Sequence, residues 1–457
     1  PSGSRSPGAA WRGPGVLRAE VGMETFGARS VPVVRSVTGR VRAPASKSVT
    51  QRALVAASLA RGVSRLRDPL LADDSRHLMA ALKAAGITIG ERRDGNATVI
   101  EVDGSPGLAP ENGTTLFVGN AGTAMRFLCA RLAAGNRAFL LDGDERMRQR
   151  PIEDLLKALR SLGAAAESVA GDGCPPVRVG GRGLSGGRTS LAGGQSSQFL
   201  SALLLAGPAA ERGVSIDIEG RLVSRPYVDL TLDVMRRFGV RAEPDPPCGG
   251  ARRFSVAAGQ AYRPADLVIE GDYSSASYFF AAAAILPGRV EVEGLDPQSL
   301  QGDARLLDLL EQMGCSVLRD QEAIVVESRE ALRGLEADLG DLPDAAPALA
   351  VAALFARGET RLTGVPHLKI KESDRIAALC EAIGRLGGEA EPLPDGLVIR
   401  PRPLRGADID PRGDHRIAMA FAVAGLRVPG VRILDAGCVS KSYPGFWDDF
   451  DRLIAGH

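Results

Sequence analysis

Two stretches, LMAALKAAGITI (residues 78–89) and LLKALRSLGAAAE (155–167), show the pattern that decides the fold. Each combines apolar residues at helical spacing, a glycine and a short run typical of a strand. Four further copies are LDVMRRFGVRAE (232–243), LLDLLEQMGCSVL (306–318), LCEAIGRLGGEAE (379–391) and the frayed WDDFDRLIAGH (447–457). Their terminal glycines, spaced by 77, 76, 75, 73 and 69 residues, are Gly86, Gly163, Gly239, Gly314, Gly387 and Gly456. Because glycine just past a helix is the left-handed C-cap, the chain repeats one structural unit.

A second series of six helices lies between these copies. Its members are rich in Ala and Leu and apolar on nearly every side, which is typical of buried helices. They read QRALVAASLARG (51–62), AMRFLCARLAAG (124–135), SQFLSALLLAG (197–207), SASYFFAAAAILPG (275–288), DAAPALAVAALFARG (344–358) and HRIAMAFAVAG (415–425). The sequence therefore predicts an α/β fold of six units, each with a buried helix, an amphipathic helix and intervening strands.

The length of 457 residues favours two similar α/β domains. The sixth unit ends before its closing strand, whereas a strand-like stretch, VPVVRSVTGRVRAP, opens the folded region at residues 31–44. We expect this stretch to complete the sixth unit. One domain would then comprise residues 31–45 and 270–457, the other residues 46–269, and the two crossings between them would form a hinge.

Residues 1–30 are rich in Gly, Pro, Arg and Ser and lack apolar periodicity, so we expect a disordered extension, with a transit peptide as the alternative. The six cysteines lie far apart, without a C-x-x-C pair or a histidine at ligand spacing. This favours a reduced cytoplasmic protein without a metal. The net charge of +1 and the lack of a long apolar run indicate neither nucleic acid nor a membrane as partner.

Each buried helix begins with polar or charged residues. A buried helix N-terminus has unpaired N–H groups and the positive end of the helix dipole, so it needs a cap or an anion. Ser, Thr and Asn at these starts are ordinary N-caps when taken singly. Basic residues beside helices too apolar to face water favour a bound anion instead, and these residues are Lys47, Arg52, Arg126 and Arg416.

Lysine is rare in this chain, with six lysines against fifty arginines. Lys47, Lys371 and Lys441 nevertheless fall in short polar segments near helix starts, which favours a chemical role as well as charge. The segment HLKIKESDRI can equally be a charged, capped first turn of a helix. The loop DGDERMRQRP adds Arg146, Arg148 and Arg150, of which one is expected to reach the site.

Eleven motifs, in order, resemble those of the 5-enolpyruvylshikimate-3-phosphate synthase family over about residues 31 to 457. They are ASKSVTQRAL, ADDSRHL, GNAGTAMR, GDERMRQRPI, SSQFLSALL, LVSRPYVDLT, EGDYSSASYF, LPDAAP, KESDRI, GDHRIAMA and VSKSYPGF. The resemblance implies two inside-out α/β domains, each of three βαβαββ repeats with buried helices, joined by a two-crossing hinge. It implies a cofactor-free, monomeric transferase of the shikimate pathway that converts phosphoenolpyruvate and shikimate 3-phosphate into 5-enolpyruvylshikimate 3-phosphate and phosphate, with glyphosate as competitor.

The resemblance also assigns site residues, motif by motif. The expected shikimate 3-phosphate contacts are Lys47, Ser48, Arg52, Ser196, Ser197, Gln198, Ser224, Tyr227, Asp344 and Lys371. The expected phosphoenolpyruvate contacts are Lys47, Gly122, Thr123, Arg146, Gln198, Glu372, Arg375, His415, Arg416 and Lys441. Asp344 is expected to take the proton of the substrate hydroxyl, while Lys47 or Glu372 protonates the methylene carbon.

Two positions depart from the family pattern or vary within it. Phe127 follows the A-M-R string where the family commonly has Pro, which leaves the affinity for phosphoenolpyruvate and glyphosate open. His367 lies in a segment that varies, and a solvated loop histidine is expected there.

Three other functions compete with this one. A related transferase acting on a UDP-amino sugar commonly has a reactive loop cysteine, whereas Cys129 and Cys380 fall within helical patterns. A sensor of phosphorylated metabolites would not need Lys47, Asp344 and Glu372. Nucleic-acid end processing would need a basic stripe with interleaved aromatic residues, and aromatics make up only 4% of the chain.

Overall fold

The fold is a sixfold repeat of helices and small sheets. The computed structural model describes residues 27–108, 113–247, 250–328 and 331–455. The predicted residues 1–26 of the extension, Cys248 and Gly456 lie outside these ranges. Five of the predicted cap glycines, Gly86, Gly163, Gly239, Gly314 and Gly387, have φ between 81° and 114° and so adopt the left-handed conformation. The predicted α/β fold of six units is confirmed.

Units one to three, called here the first half, alternate buried and amphipathic helices. The helices are α1 (Lys47–Leu59), α2 (Asp73–Ala84), α3 (Gly122–Ala133), α4 (Glu153–Ser161), α5 (Ser197–Ala206) and α6 (Arg225–Arg237). The strands are Gly62–Arg67, Thr88–Asp94, Ala97–Gly104, Thr114–Phe117, Ala138–Asp142, Ala166–Ser168, Val177–Gly180, Gly187–Ala192, Val214–Glu219, Glu243–Asp245, Arg253–Val256 and Asp266–Val268.

Units four to six, called here the second half, repeat this order. The helices are α7 (Tyr273–Ile285), α8 (Leu306–Met313), α9 (Ala346–Ala353), α10 (Arg375–Arg385), α11 (His415–Gly425) and α12 (Phe446–Ala455). The strands are Arg29–Ser30, Val37–Arg42, Gly288–Glu293, Cys315–Arg319, Ala323–Ser328, Glu336–Asp338, Thr360–Thr363, Glu389–Leu393, Gly396–Arg400, Asp408–Ile409 and Arg432–Ile433.

Five of the sheets have four strands in one common order. In the second unit, Thr114–Phe117 pairs in parallel with Ala138–Asp142, which pairs antiparallel with Val177–Gly180, and Ala166–Ser168 is the far edge. The parallel pair is joined through the buried helix α3, as a parallel connection requires a crossover. The buried helices α5, α9 and α11 connect parallel pairs in the same way, whereas α1 and α7 each connect strands of two different sheets.

Two strands are supplied from outside the continuous run of their unit. Asp266–Val268 pairs in parallel with Arg65–Arg67 and completes the first sheet. Val37–Arg42 pairs in parallel with Gly288–Glu293 and completes the fourth sheet. The expectation that the stretch 31–44 completes the sixth unit is wrong for this strand, because it pairs with an open parallel edge in the fourth unit. It is right for the start of the stretch, where the N–H groups of Val31 and Val34 donate to the carbonyl oxygens of Val431 and Leu426 in the sixth unit, at 3.0 and 2.9 Å.

The sixth unit has a smaller, three-stranded sheet. Asp408–Ile409 and Arg432–Ile433 pair in parallel, and the two-residue strand Arg29–Ser30 pairs antiparallel with the latter. This strand lies within the predicted extension 1–30, so ordered structure begins before residue 31.

Each half has a hydrophobic core of its own. One core comprises buried residues between positions 49 and 269, and the other comprises buried residues at 31–43 and between positions 273 and 453. Every residue of α7, α9 and α11 is buried, which agrees with their uniformly apolar sequences. Within the described ranges, no helix has both the length and the apolar character to cross a membrane.

The buried series of helices predicts a steep dependence of stability on side-chain volume. Leu349 in α9 is fully buried, so Leu349→Ala is expected to lower the free energy of unfolding by about 2–5 kcal/mol, through lost transfer energy and a cavity. Leu318→Ala is the control, because Leu318 is 58% exposed and should change stability little. Urea denaturation measures both, and equal losses would contradict the assignment of the core.

Candidate active site

The starts of the buried helices meet at one cavity between the two halves. The first half contributes the starts of α1, α3 and α5, and the second half contributes the turn before α9 and the start of α11. Fifteen predicted site residues line it: Lys47, Ser48, Arg52, Gly122, Thr123, Ser196, Ser197, Gln198, Ser224, Tyr227, Asp344, Lys371, Glu372, Arg375 and Arg416. Asp74, Arg150 and His367 also line it.

Asp344 lies between two buried guanidinium groups. Its Oδ1 accepts from Arg375 Nη1 at 3.0 Å, and its Oδ2 accepts from Arg416 Nη2 at 2.8 Å. Burial alone would raise the pKa of Asp344, but the positive charges of Arg416, Lys371 and Arg375 hold that pKa well below its usual range. Asp344 is therefore an ionised carboxylate in a nearly closed site, which is the state that a proton acceptor needs.

A buried carboxylate, Asp414, holds Arg375 in place. Arg375 Nε donates to Asp414 Oδ2 at 2.8 Å, and Arg375 Nη2 donates to Glu372 Oε2 at 2.7 Å. Asp414 is also the N-cap of α11, accepting from the backbone N–H of Arg416 at 3.0 Å. Burial alone would raise the pKa of Glu372, but Arg375 and Arg150 hold that pKa well below its usual range. Arg375 is thus fixed by three carboxylates, of which two face the cavity.

Asp74 joins two lysines from opposite halves of the molecule. Its Oδ2 lies 3.2 Å from Lys47 Nζ, and its Oδ1 lies 2.7 Å from Lys441 Nζ. Lys441 Nζ also donates to the carbonyl oxygen of Asn120 at 2.7 Å. Because Lys441 comes from the turn Ala436–Lys441 of the second half, these bonds tie that half to the first. Lys441 lies behind the cavity wall rather than in it.

Arg52 is buried beside neutral groups. Its guanidinium donates to Thr231 Oγ1, to the carbonyl oxygen of Tyr227 and to that of Ser48, at 2.8 to 2.9 Å. Burial lowers the pKa of Arg52 to about 10, so the group is still a cation at neutral pH. Among the described residues, no carboxylate is bonded to it. A buried cation without a counter-ion is costly, which favours an anion in the adjoining cavity.

The wall of the cavity carries excess positive charge. Its six basic side chains are Lys47, Arg52, Arg150, Lys371, Arg375 and Arg416, and its three acidic side chains are Asp74, Asp344 and Glu372. Hydroxyl and amide donors complete the wall, with Gln198 Nε2 bonded to Thr123 Oγ1 at 3.1 Å. Within the described ranges, His, Cys, Asp and Glu side chains do not group in threes as metal ligands. Such a wall suits anionic ligands that carry hydroxyl groups.

Comparisons with known proteins agree with this geometry. Residues 32–450 match the family model described as EPSP synthase (3-phosphoshikimate 1-carboxyvinyltransferase). The chain belongs to the EPSP synthase family. A relative from Methanoculleus marisnigri named 3-phosphoshikimate 1-carboxyvinyltransferase is 45% identical over 407 residues, which covers 89% of this chain and 94% of the relative. A relative of the same name from Shewanella baltica is 42% identical over 428 residues, covering 93% and 99%.

Solved structures show the same fold. An EPSP synthase from Acinetobacter baumannii superimposes with a TM-score of 0.75 at 29% identity, covering 93% of this chain and 98% of that one. The enolpyruvyl transferase NikO from Streptomyces tendae has a TM-score of 0.69 at 19% identity, covering 94% and 98%, and indicates the fold alone.

The structure places Arg150, not Arg146, in the cavity wall. The turn Met147–Gln149 separates the two side chains. Arg146 donates to the carbonyl oxygens of Lys371 and Glu372 at 3.0 and 3.2 Å. In this EPSP synthase family member it therefore holds the backbone of the segment that carries these two site residues. Arg150 lies against Gly122, where an added Cβ would come within 2.5 Å of Nη2. Glycine at this position therefore leaves room for the guanidinium of Arg150.

Two histidines differ from their expected surroundings. His367 is 4% exposed and its Nε2 lies 3.4 Å from Ser224 Oγ, so the expectation of a solvated loop histidine is wrong. Burial and Lys371 lower the pKa of His367 to about 3, which makes it neutral. His415 is fully buried behind the wall, and among the described residues neither of its ring nitrogens has a hydrogen-bond partner.

Three lining residues, Asp74, Arg150 and His367, were not assigned to the site from the sequence. Asp74 is part of the A-D-D-S-R-H-L string, but an acidic first turn of a helix is too common to indicate a site. Arg150 was one of three arginines in a single loop, and the geometry of the turn decides among them. His367 precedes the KESDR string by four positions. The sequence did not predict the turn Pro366–Ile370, which brings this side chain to the cavity.

The fixation of Arg375 predicts a stability effect at Asp414. Asp414→Asn removes one charge from a fully buried pair and is expected to lower the free energy of unfolding by about 3–5 kcal/mol. Asp374→Asn is the matched control, because Asp374 caps α10 by accepting from the N–H of Ala377 and is only half-buried. Asparagine is also a good N-cap, so the control should lose under about 1 kcal/mol in urea denaturation. Similar losses in both variants would contradict the role of Asp414.

Proposed function

We propose that the cavity transfers the enolpyruvyl group of phosphoenolpyruvate to the 5-hydroxyl of shikimate 3-phosphate and releases phosphate. The observation that carries this proposal is the ionised Asp344 between Arg375 and Arg416, in a positively charged cavity at the starts of buried helices. Membership of the EPSP synthase family supports the identity of both substrates. The 3-phosphate and the phosphoenolpyruvate together supply the anions that the wall lacks.

The first half-reaction is an addition. Asp344 takes the proton of the 5-hydroxyl as that oxygen forms a bond to C2 of phosphoenolpyruvate, and the methylene carbon C3 gains a proton. The product is a tetrahedral adduct that still bears the phosphate group. Glu372 is ionised beside Arg375 and has no proton to give, so Lys47, which is paired with Asp74, is the better donor in this step.

The second half-reaction is an elimination. A proton leaves the methyl group, the C2–C3 double bond forms again, and the C2–O bond to phosphate breaks. Glu372 is suited to accept this proton because it begins the cycle as a carboxylate. Phosphate leaves with the proton that originated on the hydroxyl. Glu372 then returns its proton to the neutral Lys47, which lines the same cavity, so both groups recover their starting state. The fixed cations Arg150, Arg375 and Arg416 stabilise the anionic adduct with charge that is already in place.

The two substrates divide the wall between them. Ser48, Arg52, Ser196, Ser197, Ser224, Tyr227 and Lys371 form the shikimate 3-phosphate side. Lys47, Gly122, Thr123, Arg150 and Glu372 form the phosphoenolpyruvate side, with Lys441 and His415 behind it. Gln198 and Asp344 lie between the two sides. Arg150 replaces the expected Arg146, because its guanidinium faces the cavity.

Further properties follow from the same proposal. We propose a monomeric enzyme in the cytoplasm. The described cysteines are all free, which supports a reducing compartment but does not bear on the oligomeric state. Glyphosate is the proposed competitor of phosphoenolpyruvate, because Gly122 leaves room for the Arg150 guanidinium on the proposed phosphoenolpyruvate side. Phe127 packs against Arg52, whose guanidinium carbon lies 5.3 Å from the ring centroid, and so helps to position this cation of the proposed shikimate 3-phosphate side.

The base role of Asp344 predicts a selective loss of turnover. Asp344→Asn is expected to lower kcat by about 100- to 10,000-fold, the usual contribution of a positioned proton acceptor. Binding of shikimate 3-phosphate should remain measurable by calorimetry, because the basic side chains of the wall are unchanged. Asp320→Asn, at an exposed turn, controls for the substitution itself. Near-normal phosphate release by Asp344→Asn would remove Asp344 from this role.

The proposed choice of Arg150 over Arg146 predicts a difference within one loop. Arg150→Gln is expected to raise the KM for phosphoenolpyruvate by more than about tenfold, because a desolvated charge that meets an anion is lost. Arg148→Gln is the matched control, since Arg148 pairs with Asp142 at the surface and its side chain is 51% exposed. Steady-state kinetics with each substrate varied in turn tests this. An unchanged KM in Arg150→Gln would return Arg146 to consideration.

A further inference from the structure

One buried carboxylate near the site has no part in the mechanism above. Asp303 lies in the turn Gly302–Arg305 of the second half, is 3% exposed and does not line the cavity. Its Oδ2 accepts a hydrogen bond from Tyr227 Oη at 3.0 Å. Its Oδ1 is buried without a hydrogen-bond partner in the described part of the chain. A carboxylate left half-bonded in the interior is costly, so its position calls for a functional explanation.

Tyr227 connects this carboxylate to the proposed base. Tyr227 Oη lies 3.0 Å from Asp303 Oδ2 and 3.1 Å from Asp344 Oδ2. A phenol has one hydrogen, so the hydroxyl can donate to only one of these two oxygens at a time. The two arrangements differ in whether Asp344 receives that hydrogen bond.

We propose that Asp303 is a positioning residue whose protonation state sets the direction of the Tyr227 hydroxyl and thereby the basicity of Asp344. When Asp303 carries a proton, it donates to Tyr227 Oη and the tyrosine donates to Asp344. When Asp303 is ionised, the tyrosine donates to Asp303 and leaves a lone pair towards Asp344. This inference rests on the proposed role of Asp344 as proton acceptor.

The surroundings of Asp303 place its titration near neutrality. Burial, and then the negative charge of Asp344, raise the pKa of Asp303 to about 7, while Arg416 opposes the shift. Asp272, at the start of α7, adds to the rise, and Tyr227 of α6 opposes it by hydrogen bonding. The acidic side chains of α8, Asp308 and Glu311, are both bonded to Arg319 on the surface, Asp308 at 2.6 Å. Both arrangements are therefore populated around pH 7.

The direction of the effect follows from the charges. Below pH 7 the tyrosine bond stabilises the Asp344 carboxylate and makes it a weaker base. Above pH 7 Tyr227 no longer donates to Asp344. The negative charge of the ionised Asp303, which is connected to Asp344 through Tyr227, then favours protonation of Asp344. A newly protonated Asp344 can then donate to Tyr227 Oη. Turnover should therefore rise as the pH passes through 7.

The test compares pH profiles of kcat with both substrates saturating. Asp303→Asn is neutral at every pH, so its profile should lose the rise near 7. Its kcat above that pH should fall, by at most about tenfold for each unit by which the pKa of Asp344 is lower than in the parent. Both KM values should stay within about twofold, as Asp303 does not line the cavity. Asp308→Asn removes an equal charge nearby and should keep the parent profile. An unchanged profile in Asp303→Asn would overturn the proposal.

A second readout does not depend on turnover. Infrared titration of the ligand-free enzyme should show a protonated-carboxyl band that disappears near pH 7 in the parent and in Asp308→Asn but is absent from Asp303→Asn. Persistence of that band in Asp303→Asn refutes the assignment. If Asp344 is not the base, Asp344→Asn should still turn over while the infrared band assigned to Asp303 remains. The two failures can therefore be told apart.

Tyr227→Phe tests the connecting hydroxyl and decides the question if Asp303→Asn does not fold. It removes the bond to both carboxylates, so the pH-dependent rise should disappear while the folded protein keeps its infrared band. Adding Asp303→Asn to this variant should then change kcat above pH 7 by less than about twofold, because the coupling passes through the tyrosine. A rise that survives in Tyr227→Phe contradicts the proposal.

Discussion

The ion pairs of Asp344 with Arg375 and Arg416 are the constraint on which the site depends. The three groups belong to the turn before α9, to α10 and to α11, and all three are largely buried. Charges so far from water persist only where geometry and further hydrogen bonds compensate them. The repeat supplies that geometry, because it aims the electropositive starts of buried helices from both halves at one cavity.

The carboxylates of the site do two different things. Asp414 and Asp74 hold cations in position without facing the reacting atoms, whereas Asp344 and Glu372 are aligned for proton transfer. Both kinds are needed because a cluster of cations without counter-charges would repel itself and open the cleft. The carboxylates leave part of the positive charge of the site unbalanced, and the anionic substrates can neutralise that part.

Much of the fold follows from local signals, since glycine caps and helical periodicity act within one unit. The contacts between distant segments do not, and Val37–Arg42 shows why: an apolar run states that a strand exists, but not which open edge receives it. Arg146 and Arg150 show the same limit at the site, because one three-residue turn reverses which guanidinium faces the cavity. His367 became buried through packing of the halves, which no single segment encodes.

The completion of the fourth sheet by Val37–Arg42 also bears on how the chain is made. The partner of Arg40 is Glu291, 251 positions further along. During synthesis the early strand must therefore wait, unpaired, while the whole first half emerges and can complete its own sheets. Closing so long a loop is slow, so the second half assembles late. Until it does, the strand edges of its fourth sheet are exposed, and this puts its assembly at risk. The polar edge residues Thr38 and Arg40, which alternate with buried valines, limit that risk in the nascent chain.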